Sequence, residues 1–455
     1  MEYLQAKNPS TCEIIGKYPI HSQKQIEDII KKSVKAFQDW RERTVKERLK
    51  CVELLARLLK KEKITLAHLI TKEIGKPLKQ SLAEIEKCIW LCEHTKKYAE
   101  NWLASEQVET DAQLSYIEFE PLGVIATITP WNFPFWQVFR STIPTLVAGN
   151  TVILKHSSSC PACACELGTL FSKTFPSNVF SYVLGRAQLG EILIKDPRIS
   201  GVSFTGSVEV GKKVYALASQ NLKKIVLELG GSDPFIVLRD AKIEEAVAEG
   251  IRSRFKNAGQ SCTAAKRFIV EESIAQEFVD FFVERVKQLK VGDPLEPSTD
   301  IGPLANLEQL KKIERQVKKS VEMGAKILLG GKALPANGYY YLPTVLINIK
   351  QNMPVWEEET FGPVAPIKIV KNEVEAIKVA NDTKFGLGAS IWSSNIKKAR
   401  ALAKKLEVGN VSINGVVSSD PRMPFGGVKH SGIGRELSRY GILEFTNIKS
   451  VKIYK

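Results

Sequence analysis

No run of about 18 apolar residues occurs anywhere in the 455-residue chain, so no segment is long enough to span a bilayer as a helix. The first residues, Met1-Glu2-Tyr3-Leu4-Gln5-Ala6-Lys7-Asn8, lack the basic start and apolar core of a secretion signal, and a cytoplasmic location is expected. Cysteine is sparse for the length: eight residues are spread through an enzyme-sized chain, which implies reduced thiols and no disulfide framework. Cys160-Pro161-Ala162-Cys163-Ala164-Cys165 has the spacing of metal ligands, and Cys88, Cys92 and His94 add donors. No second paired Cys-x-x-Cys accompanies them, so no metal is expected, and small side chains packing at a helix start are the simpler reading. No internal repeat or low-complexity linker divides the chain, and no Gly-x-Gly-x-x-Gly fingerprint follows a strand.

What is present in bulk fits a folded protein of two or three domains, since 44% of residues are hydrophobic and 25% charged. Lys+Arg 65 against Asp+Glu 50 leaves a net charge of +15, which attracts anions of every kind: nucleic acid, acidic substrates, phosphorylated cofactors. The basic residues are nevertheless interleaved with acidic ones, as in Lys46-Glu47-Arg48 and Lys60-Lys61-Glu62-Lys63. Such mixing describes solvated helix faces, and no nucleic-acid partner is expected.

Periodicity predicts alternating helices and strands. Ile29, Ile30, Val34, Phe37 and Trp40, then Val52, Leu55, Leu58 and Leu59, recur at helical spacing. A third helix is predicted near Leu82 to Leu103, and Leu114, Tyr116, Ile117 and Phe119 suggest a hairpin or arm. Compact apolar runs follow at Val124–Ile128, Thr151–Leu154, Val202–Phe204 and Lys224–Leu227, separated by helix-length pieces. A second set comprises Arg267–Val270, Lys326–Leu329 and Ile367–Val370. Near-continuous apolar strands of this kind belong to parallel sheets, and the predicted class is α/β.

Cys262, closing Asn257-Ala258-Gly259-Gln260-Ser261-Cys262, is a candidate nucleophile, and Glu228 in Leu227-Glu228-Leu229-Gly230-Gly231 a candidate base. A thiol with an ordinary pKa near ~8.5 needs a site that favours the thiolate and a group that handles its proton. Further motifs stand at Thr129-Pro130-Trp131-Asn132-Phe133-Pro134, Phe204-Thr205-Gly206-Ser207 and Glu358-Glu359-Thr360-Phe361-Gly362-Pro363. Pro424-Phe425-Gly426-Gly427 and Ser431-Gly432-Ile433-Gly434-Arg435-Glu436 complete the series. In this order, from about Pro121 to the end, the motifs resemble those of the aldehyde dehydrogenases.

The resemblance implies a Rossmann-type cofactor domain over residues 1–101 and 122–230 and an α/β catalytic domain over 231–435. It also implies a small β arm over 102–121 and 436–455 that serves assembly, with a homodimer or homotetramer as the expected state. An aldehyde cannot readily release hydride from its planar carbonyl, so a nucleophile first adds to it. Cys262 would form the thiohemiacetal, the Asn132 amide and the Cys262 backbone N–H would stabilise its alkoxide, and Glu228 would activate water to release the acid. Gly206 and Ser207 stand near the expected pyrophosphate and nicotinamide, with Trp131 beside them. Lys155 is expected at the adenosine ribose, Glu359 at the nicotinamide ribose, and Phe361 next to it. Ser158 occupies a position where relatives preferring NAD carry a carboxylate. A hydroxyl there leaves room for a 2′-phosphate, so NADP is expected as the preferred cofactor and NAD as the weaker one.

Arg140, eight positions after Asn132, together with Asn414-Gly415-Val416-Val417-Ser418-Ser419-Asp420-Pro421, resembles bacterial succinate-semialdehyde dehydrogenases. A planar guanidinium can hold a distal carboxylate bidentately, Ser419 can add a hydrogen bond, and Lys256 stands where some relatives have a second arginine. The expected substrate is a small semialdehyde: succinate semialdehyde, or with looser specificity glutarate semialdehyde. A nucleic-acid-binding or structural protein that retained the fold is the rival of another class.

Overall fold

Reciprocal caps start the first two long helices. Ser22 and Thr44 each accept from the backbone three residues on, and Gln25 and Glu47 reach back to the cap. The computed structural model describes residues 2–455. Its helices Gln23–Arg41, Val45–Ile74 and Leu78–Trp102 turn their apolar stripes inward, with Trp40, Leu55, Leu59, Ile70 and Ile85 buried. Gly75 ends the second helix at φ +80, a left-handed position that glycine takes without a Cβ penalty.

Two large sheets follow from the apolar runs. The six-stranded sheet has the order Gly432–Ile433, Lys224–Glu228, Ile199–Thr205, Val124–Thr129, Thr151–His156, Phe180–Val183. All of its pairings are parallel except that of the short Gly432–Ile433 edge. The seven-stranded sheet runs Lys326–Leu329, Thr344–Ile347, Val364–Val370, Ala265–Glu271, Asp233–Val237, Gly388–Trp392, Asn410–Ile413. Its first pair alone is antiparallel. Strands such as Thr151–His156 and Ala265–Glu271 are buried along their whole length, which is why their apolar runs read as continuous rather than alternating. The α/β reading of the sequence therefore holds.

A third, three-stranded sheet pairs Glu106–Gln107, Leu114–Pro121 and Thr446–Ile453 antiparallel, so the end of the chain returns to its first third. Unanticipated were the strands Phe180–Val183, Asp233–Val237, Thr344–Ile347, Gly388–Trp392 and Asn410–Ile413 of the large sheets, and the hairpin of Tyr3–Lys7 with Ile14–Pro19. Only Leu4 and Ala6 of it are buried, too few to give an apolar period.

The strand order positions the site. From Val124–Thr129 the sheet grows one way through Thr151–His156 and the other through Ile199–Thr205, so the loops after Val124–Thr129 and Ile199–Thr205 part at a switch point. In open α/β sheets, ligands bind in the crevice beyond the carboxyl ends of the strands at such a point.

Candidate active site

Cys262 sits on a loop that its neighbours hold in an unusual shape. Asn257, Ala258 and Gly259 all have positive φ, of 52, 52 and 75°. For non-glycine residues this conformation costs roughly 1–2 kcal/mol each, so the surroundings must impose it. Buried Arg254 donates to the carbonyls of Gly259 and Thr360 at 3.1 Å each, and also to that of Gly362. The Asn257 side chain donates to the Asn132 carbonyl at 2.8 Å, and its backbone N–H to Gln80 Oε1 at 2.7 Å. Lys266 Nζ donates to the Cys262 carbonyl at 2.6 Å. The thiol is thus fixed against three other segments of the chain.

Two clefts open on Cys262. One is the switch-point crevice, walled by Trp131, Asn132, Gly206, Ser207, Glu359 and Phe361. Trp131 and Phe361 meet edge to face at 5.8 Å. Ser207 caps the Val208–Ser219 helix, accepting from Val210 N, so that helix points its N-terminus at the crevice. Glu359 accepts from Gly231 N at 3.1 Å and pairs with Lys266 at 3.3 Å through Oε1. A Cβ on Gly230 would lie 2.5 Å from Glu359 Oε2, so only glycine leaves the carboxylate its place. An aromatic wall, a free carboxylate oxygen for sugar hydroxyls and a helix N-terminus for phosphate fit a dinucleotide.

The second cleft also reaches Cys262 and is lined by Lys87, Phe133, Trp136, Arg140, Lys256 and Ser419 among others. Cys262 and Gln137 border both clefts. The Asn132 amide donates to the Gln260 carbonyl at 3.1 Å, which orients it and leaves its second N–H available. Burial pushes the Cys262 thiol up to about 11, opposed by Arg140 and Lys266 and assisted by Glu228 and Glu359. In this state the thiol keeps its proton at neutral pH, so a proton acceptor is required.

Glu228, at the end of its strand, is 2% exposed and set back from both cleft linings. Its Oε2 lies 3.9 Å from Arg140 Nη2, and its Oε1 has no hydrogen-bond partner. Burial lifts its carboxyl well above the ordinary range against the pull of Arg140. Arg140 differs from expectation. Its Nε is ion-paired with Glu436, and its Nη2 donates to Thr205 Oγ1 at 3.5 Å. Despite burial, Glu436 and Glu228 hold the guanidinium above its ordinary value. A buried cation needs a counter-charge, and here two carboxylates of the protein provide it, so Arg140 joins the cleft lining with its Nε and Nη2 already engaged.

Lys155 and Ser158 lie outside both linings, one strand further along the same sheet edge. Lys155 is buried, which lowers its pKa, and Ser158 is half-buried in the turn after its strand. Cys160 packs its sulfur 3.1 Å from His156 Nδ1 at the start of the Pro161–Ser172 helix.

Three residues escaped the sequence reading: Lys87, Lys266 and Glu436. Lys87 shares a helix face with Gln80 and Glu84, spaced four and three apart, and that polar row was its available signal. Glu436 closes one of the sequence motifs, but nothing there pointed to its role, because its partner Arg140 is remote in sequence.

A doubly wound sheet whose switch-point crevice ends at a stapled thiol, with a second cleft beyond it, defines an oxidoreductase of the nicotinamide-dependent class. The chain belongs to the aldehyde dehydrogenase family, whose model matches residues 2–451. It is 44% identical over 447 residues to a probable succinate-semialdehyde dehydrogenase (NADP+) of Synechocystis sp., covering 98% of both chains. It is 42% identical over 445 residues to the NAD(P)+ succinate semialdehyde dehydrogenase Sad of Escherichia coli strain K12, covering 98% of this chain and 96% of that one. The crystal structure of succinic semialdehyde dehydrogenase from Streptococcus pyogenes with NADP+ superposes with a TM-score of 0.97 at 34% identity, over 99% of this chain and all of that one.

Proposed function

We propose that this chain oxidises succinate semialdehyde to succinate, with NADP as preferred electron acceptor and NAD as the weaker one. One observation carries the reading: Cys262 borders both clefts, so an aldehyde held in one can be attacked by a thiol that also faces the dinucleotide crevice. The curated relatives, named for this substrate and for NADP+ or NAD(P)+, support the choice.

The chain's own groups divide the work. Cys262 Sγ adds to the carbonyl carbon, and its proton passes to a base. Glu228 is the base we assign, reaching the cleft by side-chain rotation or through one bridging water. The free Asn132 N–H and the Cys262 backbone N–H, which makes no hydrogen bond to protein among the described residues, stabilise the alkoxide. When bound, the nicotinamide dinucleotide supplies the hydride acceptor. Glu359, Trp131, Phe361, Gly206 and Ser207 would hold it at the thiol, with Lys155 at the far ribose and Ser158 leaving space for a 2′-phosphate. Glu228 then activates the water that releases the acid from the thioester.

The partition into residues 1–101 with 122–230, 231–435, and 102–121 with 436–455 belongs to the same proposal. Exposed Ile448 and Tyr454 beside the three-stranded sheet support its use as the contact in a homodimer or homotetramer. All eight cysteines are free, which supports a reducing, cytoplasmic setting.

The test is the initial rate of nicotinamide reduction with succinate semialdehyde, glutarate semialdehyde and propanal, each with NADP and with NAD. A clear preference for succinate semialdehyde with NADP is expected. Equal rates with propanal would leave only a general aldehyde dehydrogenase, and no turnover of any aldehyde would return the binding-protein reading.

A further inference from the structure

Ser419 connects three segments distant in sequence. Its Oγ lies 2.9 Å from Lys87 Nζ and 2.9 Å from Trp136 Nε1; the indole N–H and a charged ammonium are donors only. With both lone pairs engaged, the Ser419 hydroxyl has a hydrogen to give and no recorded protein acceptor for it. Lys87 has two further N–H bonds to offer, and no carboxylate lies within salt-bridge distance of its ammonium among the described residues. Lys256, at the cleft mouth, likewise lacks a carboxylate partner and stands 5.7 Å from the Phe133 ring centre.

The other charges in this cleft are matched. Glu84 pairs with buried Lys76 and accepts from the N–H groups of Phe135 and Trp136 at 2.9 and 3.0 Å. Arg252 pairs with Glu249, and Arg140 with Glu436. One end of the cleft therefore consists of donors and unmatched positive charge, a lining that a small anion completes. Burial, with Lys256 and Arg140 nearby, lowers the Lys87 pKa to about 7, as expected of a cation lacking its counter-ion.

We propose that Lys87 is the residue that selects for a distal carboxylate on the substrate, binding it together with the Ser419 hydroxyl while Lys256 adds charge at the mouth. This rests on the reading that the substrate is a semialdehyde bearing such a carboxylate. Arg140, charge-matched by Glu436, lines the same cleft beside Lys87, Ser419 and Lys256.

The experiment compares kcat/KM for succinate semialdehyde and for propanal in wild type, Lys87→Met and Lys87→Arg holoenzymes. Succinate is tested in each as a competitive inhibitor of propanal oxidation. The ratio of the two kcat/KM values is expected to fall about 10- to 100-fold in Lys87→Met, with succinate inhibition weakened alongside it and partly restored in Lys87→Arg. An unchanged ratio, whether both rates fall together or neither does, overturns the assignment. Lys87→Gln gives the same reading should the Met variant not fold. A wild-type ratio near one would remove the semialdehyde reading itself, whereas a high wild-type ratio kept by the Lys87 variants removes Lys87 alone.

Discussion

The two clefts that meet at Cys262 are built from different material. The dinucleotide side is made of strand ends and tight turns, Trp131-Asn132 after one strand and Gly206-Ser207 after its neighbour, which adjacent parallel pairing brings together. The substrate side is made of polar side chains from two helices, a 3-10 turn and a loop: Lys87, Arg140, Lys256 and Ser419. Backbone geometry follows from the fold, so the first side tolerates little variation in shape. The second side is set by which charges find partners, and it can change specificity without changing the fold.

Within the substrate side, Arg140 and Lys87 make the contrast sharp. Both are cations in one cleft, but the arginine is matched by Glu436 and Glu228 and the lysine by no carboxylate. The strongest way to break this comparison is Arg140→Met. Removing one partner of a buried ion pair costs about 3–5 kcal/mol, since uncompensated charge remains. Urea unfolding is expected to show a loss of that order, and turnover of succinate semialdehyde and propanal to fall together. Unchanged stability with loss of succinate semialdehyde alone would show that Arg140 is an open carboxylate site after all.

A second test separates the clefts. Ser158→Glu places a carboxylate where the 2′-phosphate is expected, and like-charge repulsion should shift the NADP-to-NAD ratio of kcat/KM towards NAD by about 10- to 100-fold. The succinate semialdehyde-to-propanal ratio should not move. A cofactor ratio that stays the same would remove Ser158 from the cofactor site.

The smallest expected effect is a pH dependence confined to the substrate side. Lys87 is protonated below about 7 and neutral above it, because burial and then Lys256 and Arg140 oppose its charge while Cys88 and Asp420 favour it. Anion binding needs the ammonium, so succinate should inhibit more weakly as pH rises from 7 to 9, by about tenfold at most over the whole range. Cys262, at about 11, stays protonated across the range. Lys87→Met should flatten the profile, and a profile that survives in that variant removes Lys87 as its source.

Much of the dinucleotide side was legible in the sequence. Its residues cluster in short motifs, and apolar runs flank each one, so the strand, the turn and the side chain are read together. The Cys262 motif was legible for the same reason, although its left-handed path through Asn257 and Ala258 was not. That path is imposed by Arg254 and Gln80 from outside the motif.

The sequence by itself determined the parallel α/β sheets, the candidate thiol and carboxylate, and the absence of a fingerprint that would have named the crevice directly. Only the tertiary structure decided which cations are matched. Lys87 meets Ser419 across 332 positions of chain, Trp136 meets it across 283, and Arg140 finds Glu436 near the opposite end. Local periodicity predicts the face on which a charge stands. Whether that charge is free depends on the counter-charge the fold brings to within a few ångströms, and Coulomb attraction in a buried site ignores distance along the chain.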